Sequence, residues 1–336
     1  MLVWSALSQV WGRTELITAQ PYLTDRGVRV SAWKTDGIGN LAGRRIVVTG
    51  ANTGLGFQSA LAFARSGAEV VLAVRNESKG AAAVEKIIAD TPSAKLRIEH
   101  LDLADLASVR SFGAAEAVRG PVDVLLNNAG VMLVPKRELT GDGFEQHMGI
   151  NHLGHFLLTA ELLPALAAAP AGRVVSVSSI AHRAAPRLDR GLNLNGRYSP
   201  MGAYGQSKLA TLLFGLELDR RLRAAESEVT SLIAHPGWSA TELLVRDDHP
   251  GPAVWVSRKA TALLGSSAAQ GAKSQISAAA DRSWPGGSLV GPAFLLQGRP
   301  HQASMSSAAM DPIAARWLWD VSAGLTGAEF DLPEPV

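Results

Sequence analysis

Three sets of residues in this sequence have types and spacings suited to chemistry. The first is the stretch Thr49-Gly50-Ala51-Asn52-Thr53-Gly54-Leu55-Gly56. It lies between an apolar run (Ile46, Val47, Val48) and an Ala-rich segment carrying Phe57, Ala60, Leu61, Phe63 and Ala64. Glycines at a strand-to-helix turn let backbone N–H groups and the positive end of a helix dipole approach an anion with no Cβ in the way. A pyrophosphate suits such a point; a tight turn without a ligand is the alternative. The second set closes the next two strands. Val74 and Arg75 end one, with no acid before Glu77, and a guanidinium there can pair with the 2′-phosphate of NADP where an acid would hold the 2′-hydroxyl of NAD. Asp102 and Leu103 end the other, and Asp102 either accepts from an adenine amino group or caps the following helix. The third set is polar: Asn127-Asn128-Ala129-Gly130, Asn151, Ser178-Ser179, Tyr204 with Lys208, and His235-Pro236-Gly237 through Thr241. Tyr204 and Lys208 are four apart and share a helix face.

The elements that must position these groups alternate. Apolar runs around Val47, Val71, Ile98, Leu125, Val175 and Leu232 read as strands, with a last strand near Leu289. Between them lie segments of helical character around Phe63, Val84, Val109, Phe156 and Leu212, and a terminal helix carries Trp317 and Trp319. The pattern predicts an α/β, doubly wound parallel sheet of Rossmann type with about seven strands, in one domain spanning 41–336 after an N-terminal extension over 1–40. Most of the polar groups above fall just after strands, the edge at which open sheets bind ligands.

The chain has 336 residues, 47% of them hydrophobic, enough for one large core. The net charge is +2, and no Lys/Arg cluster is interleaved with aromatics, which argues against nucleic-acid binding. There are no cysteines, so thiol catalysis, disulfides and thiolate metal sites are excluded; this fits a cytoplasmic protein. No apolar run has the length of a membrane span.

Taken in order, these motifs resemble the short-chain dehydrogenase/reductase family over 43–243. The stretches Asn151-His152-Leu153-Gly154-His155-Phe156, Ser178-Ser179-Ile180-Ala181-His182 and His235-Pro236-Gly237-Trp238 resemble its retinol-dehydrogenase-like branch. The resemblance implies hydride exchange between a nicotinamide cofactor and a carbonyl or alcohol carbon. It implies that Tyr204 is the acid in reduction and the base in oxidation, and that Lys208 favours the phenolate. Ser179 would donate to the substrate oxygen, and Asn151 would hold a water linking Lys208 to solvent. Gly50, Asn52, Thr53, Gly54, Leu55, Gly56, Arg75, Asp102, Leu103, Asn128, Ala129, Gly130, Pro236, Gly237 and Thr241 would line the cofactor with Tyr204 and Lys208. Arg75 favours NADP(H), with NAD(H) as the alternative; Phe57 stands where a polar or basic residue is common. Met132, Leu133, Leu188, Trp238 and Leu243 would give an apolar substrate wall, and Arg183 or Arg187 could meet an acidic group. Family analogy suggests homodimers or homotetramers. Two other readings compete: a dinucleotide-binding sensor or scaffold without catalysis, and a sugar-nucleotide epimerase or dehydratase of the extended subfamily.

Overall fold

The computed structural model describes residues 38–196, 198–237, 267–294 and 297–332. Most of the expected N-terminal extension, together with Trp238, Thr241 and Leu243, lies outside the described residues.

Apolar runs become the central strands because both of their faces are covered. β1 (Arg45–Thr49), β2 (Glu69–Val74), β4 (Val124–Asn127), β5 (Arg173–Val177) and β6 (Thr230–Ala234) are buried along almost their whole length. β3 (Lys95–His100) sits at one edge and alternates charge with apolar residues. Its Lys95, Arg97 and Glu99 discourage pairing with another chain. The order is β3-β2-β1-β4-β5-β6-β7-β8, with β7 (Leu289–Phe294) parallel to β6 and β8 (Gln297–Gln302) antiparallel to β7. The sheet thus gains an eighth strand over the seven expected. The segment Gln-Gly-Arg-Pro-His-Gln has no apolar alternation; main-chain pairing with β7 makes it a strand, and Pro300 is tolerated because it lies on the outer edge.

Successive β1 side chains feed opposite layers, as strand geometry requires. Ile46 and Val48 pack with Phe63 and Ile276, under α1 (Gly54–Arg65) and α6 (Lys273–Ala280). Val47 packs with Phe112, Phe156 and Phe214. These come from α3 (Leu106–Ala117), α4 (Gly154–Ala167) and α5 (Pro200–Ala224). The terminal helix α7 (Pro312–Thr326) closes this layer: Trp319 lies 5.2 Å from Phe156 and 4.4 Å from Phe330, centroid to centroid. α2 (Glu77–Asp90) follows β2, capped by Asn76, which accepts from the Lys79 N–H at 2.9 Å.

Two expectations change. The helix N-cap after β3 is Asp105, which accepts from the Ala107 N–H; Asp102 instead accepts from the Ala104 N–H, both at 2.9 Å. Asp102 therefore shapes the turn and leaves the capping role to its neighbour. The helix expected around Phe156 is not uniform either. A short turn (Gln146–Met148) and a π-helical turn (Gly149–Leu153) precede α4. Asn151 sits in the π turn, a wider helical form often found where a side chain must be re-aimed at a site.

Candidate functional site

The glycine turn closes β1 and opens α1. Gly50 and Gly54 have φ of 65° and 56°, in the left-handed region that favours glycine. Gly56 is needed for space: a Cβ there would run into the Gly50 carbonyl and the Asn128 amide. Thr53 is the N-cap of α1 but makes no side-chain cap bond, and the first turn of α1 holds no acid. The N-terminal N–H groups of this helix thus have no side-chain acceptor among the described residues, and the turn is a cradle that a Cβ would fill. Asn52 and Thr53 are half-buried at its rim, and Leu55 is buried below. These features fit a dinucleotide pyrophosphate.

Thr49 ties the turn to the end of β4. Its Oγ1 receives the N–H groups of Asn128 and Ala129, each at 2.9 Å, and lies 2.9 Å from His155 Nε2. His155 Nδ1 faces the Asn151 carbonyl at 3.3 Å, so the ring proton is on Nδ1 and Nε2 takes the threonine proton. The Asn128 side chain donates to the Thr49 carbonyl at 2.8 Å and accepts from Gln275 Nε2 at 2.9 Å. Gln275 also donates to Ser59 Oγ at 2.9 Å, bolting α6 to α1. Neither Gln275 nor His155 was singled out by the sequence reading. His155 carries a signal, since it lies in the Asn151–Phe156 motif. Gln275 carries none, because only the fold brings it to Asn128.

Burial drives both His152 and His155 down to about 3, each also disfavoured by a nearby positive or titratable group. Both are neutral in the native state at pH 7, whereas an unfolded chain takes up their protons below about pH 6.5. The unfolded state then binds more protons, so stability falls as pH drops from about 6.5 toward 3. At pH 5 the expected loss is about 1–2 kcal/mol for each imidazole. Urea unfolding at pH 7.5 and pH 5 checks this; equal midpoints would show that the two rings are not buried neutral.

Arg75 stands exposed at the carboxyl end of β2 and has no hydrogen bond or ion pair among the described residues. Glu77, the next acid in the sequence, lies 3.6 Å from His100. Leu103 is buried beside the half-buried Asp102. The cationic tip at the end of β2 is thus uncommitted, which suits a phosphate on a ribose.

The polar residues after β4 and β5 converge with α5. Ser199 caps α5 and accepts from the Gly202 N–H, with Pro200 in the first turn, so the helix begins one turn before Tyr204. Tyr204 and Lys208 then face the same side, both less than a tenth exposed. Lys208 Nζ donates to the Val177 carbonyl at 2.8 Å and lies 5.8 Å from the Tyr204 ring centre. Tyr204 is hydrogen-bonded to Ser179. Ser178, next to Ser179 in the chain, is buried and donates to the Lys208 carbonyl at 2.8 Å. Ser179 is half-buried, and its Oγ accepts from the Ala181 N–H at 3.2 Å. Asn151 holds the strand that leaves β4: its Oδ1 accepts from the Val131 N–H at 2.8 Å, and its Nδ2 donates to the Val131 carbonyl at 3.0 Å. Nδ2 also donates to Ser207 Oγ at 2.9 Å, which links the π turn to α5. A Cβ on Gly130 would lie 3.0 Å from Asn151 Oδ1 and 3.6 Å from Lys208 Nζ, so Gly130 is small because these groups crowd it.

Burial pushes the Tyr204 phenol above its ordinary value, and the Ser179 hydrogen bond opposes this only in part. Tyr204 therefore keeps its proton at neutral pH. Burial pulls Lys208 down to about 8. The side chains of Met132 and Leu133 are half-buried near this cluster, Leu133 with φ of 54°, whereas Leu188 is buried in the core with Leu209 and Leu213. Leu188 thus serves packing and not a substrate wall. Pro236 and Gly237 follow β6, with Gly237 at φ of 71°.

The sequence pattern of short chain dehydrogenases matches residues 44–249. The chain is 43% identical over 297 residues to a polyprenol dehydrogenase of Mus musculus, covering 85% of this chain and 84% of that protein. It is 46% identical over 207 residues to retinol dehydrogenase 13 of Homo sapiens, covering 60% of this chain and only 61% of that protein's length. Among solved structures, it resembles a short chain dehydrogenase from Escherichia coli CFT073 complexed with NADPH. The TM-score is 0.58 and the identity 26%, over 77% of this chain and 99% of that one.

Proposed function

The chain belongs to the short-chain dehydrogenase/reductase family, in its retinol-dehydrogenase-like branch, and is an NAD(P)-dependent oxidoreductase of CH–OH or C=O groups; from this we propose that it uses NADP(H) and acts on a lipophilic carbonyl or alcohol. The observation that carries the cofactor choice is Arg75, a guanidinium at the end of β2 with no ion pair among the described residues and no acid following it before Glu77. Relatives named for polyprenol and retinol support a lipophilic substrate. The bound nicotinamide would supply or accept the hydride. Gly50, Gly54, Gly56 and the N–H groups of α1 would hold its pyrophosphate, and Asn128, Gly130, Pro236 and Gly237 would flank it.

The chain's own residues divide the rest. Tyr204, kept protonated by burial, gives a proton to the substrate oxygen in reduction. Ser179 Oγ accepts from Ala181, and its hydroxyl proton, which is directed at Tyr204, turns to the same oxygen when substrate binds. Lys208 sits one turn from Tyr204 and returns positive charge to the site. Asn151 fixes the Val131 backbone opposite. A scaffold that only binds a dinucleotide has no need of this joined set.

Tryptophan fluorescence titration with NADPH and NADH tests the cofactor reading. NADPH is expected to bind at least about tenfold more tightly, and Arg75→Ala to weaken NADPH by about 10–100-fold while sparing NADH, the loss of one charge-assisted pairing. Equal affinities in the native protein would overturn the NADP(H) preference while leaving the enzyme class intact.

A further inference from the structure

A cavity of about 70 Å³ opens at the carboxyl ends of β6 and β7, among groups that the proposed reaction does not use. Its polar lining is His182, Arg183, His235, His301 and Ser304, with no carboxylate among the described residues that line it. Hydrogen bonds fix the protons on the three rings. His182 Nδ1 lies 2.7 Å from the Ser179 carbonyl, so it carries the proton and Nε2 carries a lone pair. That Nε2 is buried with no hydrogen-bond partner among the described residues, on a residue only 2% exposed. His235 is the opposite tautomer: its Nδ1 accepts from the Gly237 N–H at 3.2 Å, which leaves Nε2–H as a donor. His301 Nδ1 donates to the Gly291 carbonyl at 3.1 Å. Arg183 lies exposed at the mouth, where Nη2 donates to the Ser304 carbonyl at 2.8 Å and to Ser304 Oγ at 2.9 Å.

A cavity this polar and of this size holds about two waters, or one small group in their place. Among the described residues that line it, every charge or potential charge is positive. Arg183 faces His182 from the same 3₁₀ turn (Ile180–Ala184), His235 from the end of β6 and His301 from β8, while β7 offers only the uncharged Pro292 and Ala293. This arrangement, together with burial, keeps the His182 and His235 rings neutral when the cavity holds only water, and an anion in it reverses the balance. We propose that the cavity binds a small oxyanion, a carboxylate or a group of the sulfate and phosphate type, together with one solvent proton taken up on His182 Nε2. The proton forms an N–H that points at the anion, His235 Nε2–H is the second donor, and Arg183 is the fixed cation. Burial and Arg183 hold the His182 ring below its ordinary range without the anion, so uptake of the proton is coupled to binding. The lining residues are separate from those proposed to hold the cofactor and to move the proton. The cavity adjoins Ser179, whose carbonyl is held by both the His182 ring and the His182 N–H, the latter at 3.0 Å.

Calorimetric titration of the whole protein with acetate and with sulfate, between pH 7.5 and 6.0 at constant ionic strength, tests the site. Both probes stay ionised in that range, so any pH dependence belongs to the protein. Affinity is expected to rise about tenfold for each unit of pH lowered, with about one proton taken up as read from heats in buffers of different ionisation enthalpy. The tighter of the two probes identifies the group as a carboxylate or as a sulfate and phosphate type. His182→Asn retains a donor toward the Ser179 carbonyl and removes Nε2; it should abolish the pH dependence and weaken binding by about tenfold or more. Arg183→Gln, at an exposed position, should weaken both probes several-fold. The NADPH titration and the melting temperature of each variant verify that it is folded. Failure of both probes to bind, affinity independent of pH, or affinity unchanged in folded Arg183→Gln would each overturn the proposal.

Discussion

Tyr204→Phe is expected to lower turnover by about 10²–10⁴-fold, the usual contribution of a positioned proton donor, with dinucleotide affinity unchanged. Phenylalanine keeps the ring in its buried place on α5 and removes only the hydroxyl. The loss of the Ser179 hydrogen bond costs about 1 kcal/mol of stability, too little to unfold a domain of this size. The effect on chemistry is larger because burial holds the phenol above its ordinary value, so the proton is present and available when the substrate oxygen gains charge. Water is a poor replacement in a position so little exposed. The measurement is the steady-state rate with any lipophilic aldehyde or ketone that the native protein reduces, beside a titration of each protein with NADPH. Retention of more than a tenth of the native rate would remove Tyr204 from the proton-transfer role. Equal loss of binding and rate would show that the substitution damaged the fold. A native protein that binds NADPH and turns over no carbonyl would instead favour the sensor reading.

Much of this arrangement is legible from residue types because parallel strands covered on both faces must be apolar. Ile46–Val48 and Val70–Leu72 are such runs, and the polar groups that follow them mark the edge where a ligand sits. Tyr204 and Lys208 could be placed on one face from their spacing alone. What escaped the sequence has identifiable causes. β8 is polar and held by main-chain pairing, which leaves no side-chain pattern. The π turn at Asn151 arises from a change in hydrogen-bond register, invisible in composition. Asp102 and Asp105 are both capable caps, and only the path of the chain decides that Asp105 takes the helix. Gln275 lies in an Ala- and Ser-rich helix, 147 residues from the Asn128 it holds. The expectation that Lys208 favours the phenolate also meets a competing effect: burial of the phenol outweighs other influences on Tyr204, and burial weakens Lys208 as a cation.

Gly56→Ala should separate the phosphate cradle from ordinary helix physics. In an open helical position, Gly→Ala stabilises by up to about 1 kcal/mol, because alanine loses less backbone freedom on folding. Gly324, in α7 with nothing within 4 Å of an added Cβ, is such a position, and Gly324→Ala is expected to raise the melting temperature slightly without touching function. At Gly56 the new Cβ meets the Gly50 carbonyl and the Asn128 side chain. Neither yields easily. The Gly50 N–H is bonded to the Ala73 carbonyl at 2.9 Å, and the Asn128 amide is fixed between Thr49 and Gln275. Overpacking of this kind costs about 1–3 kcal/mol, which exceeds the helical gain and leaves a net destabilisation of up to about 2 kcal/mol. The turn must also shift, and the N–H groups that face the pyrophosphate shift with it. NADPH affinity is therefore expected to fall by about 100-fold, near 2.7 kcal/mol, while the melting temperature changes by only a few degrees. Native affinity in a folded Gly56→Ala protein would mean that the phosphates do not approach this turn, and the cofactor would have to be placed elsewhere along the carboxyl edge of the sheet. Loss of affinity without loss of fold would assign the cradle to the dinucleotide on evidence independent of catalysis.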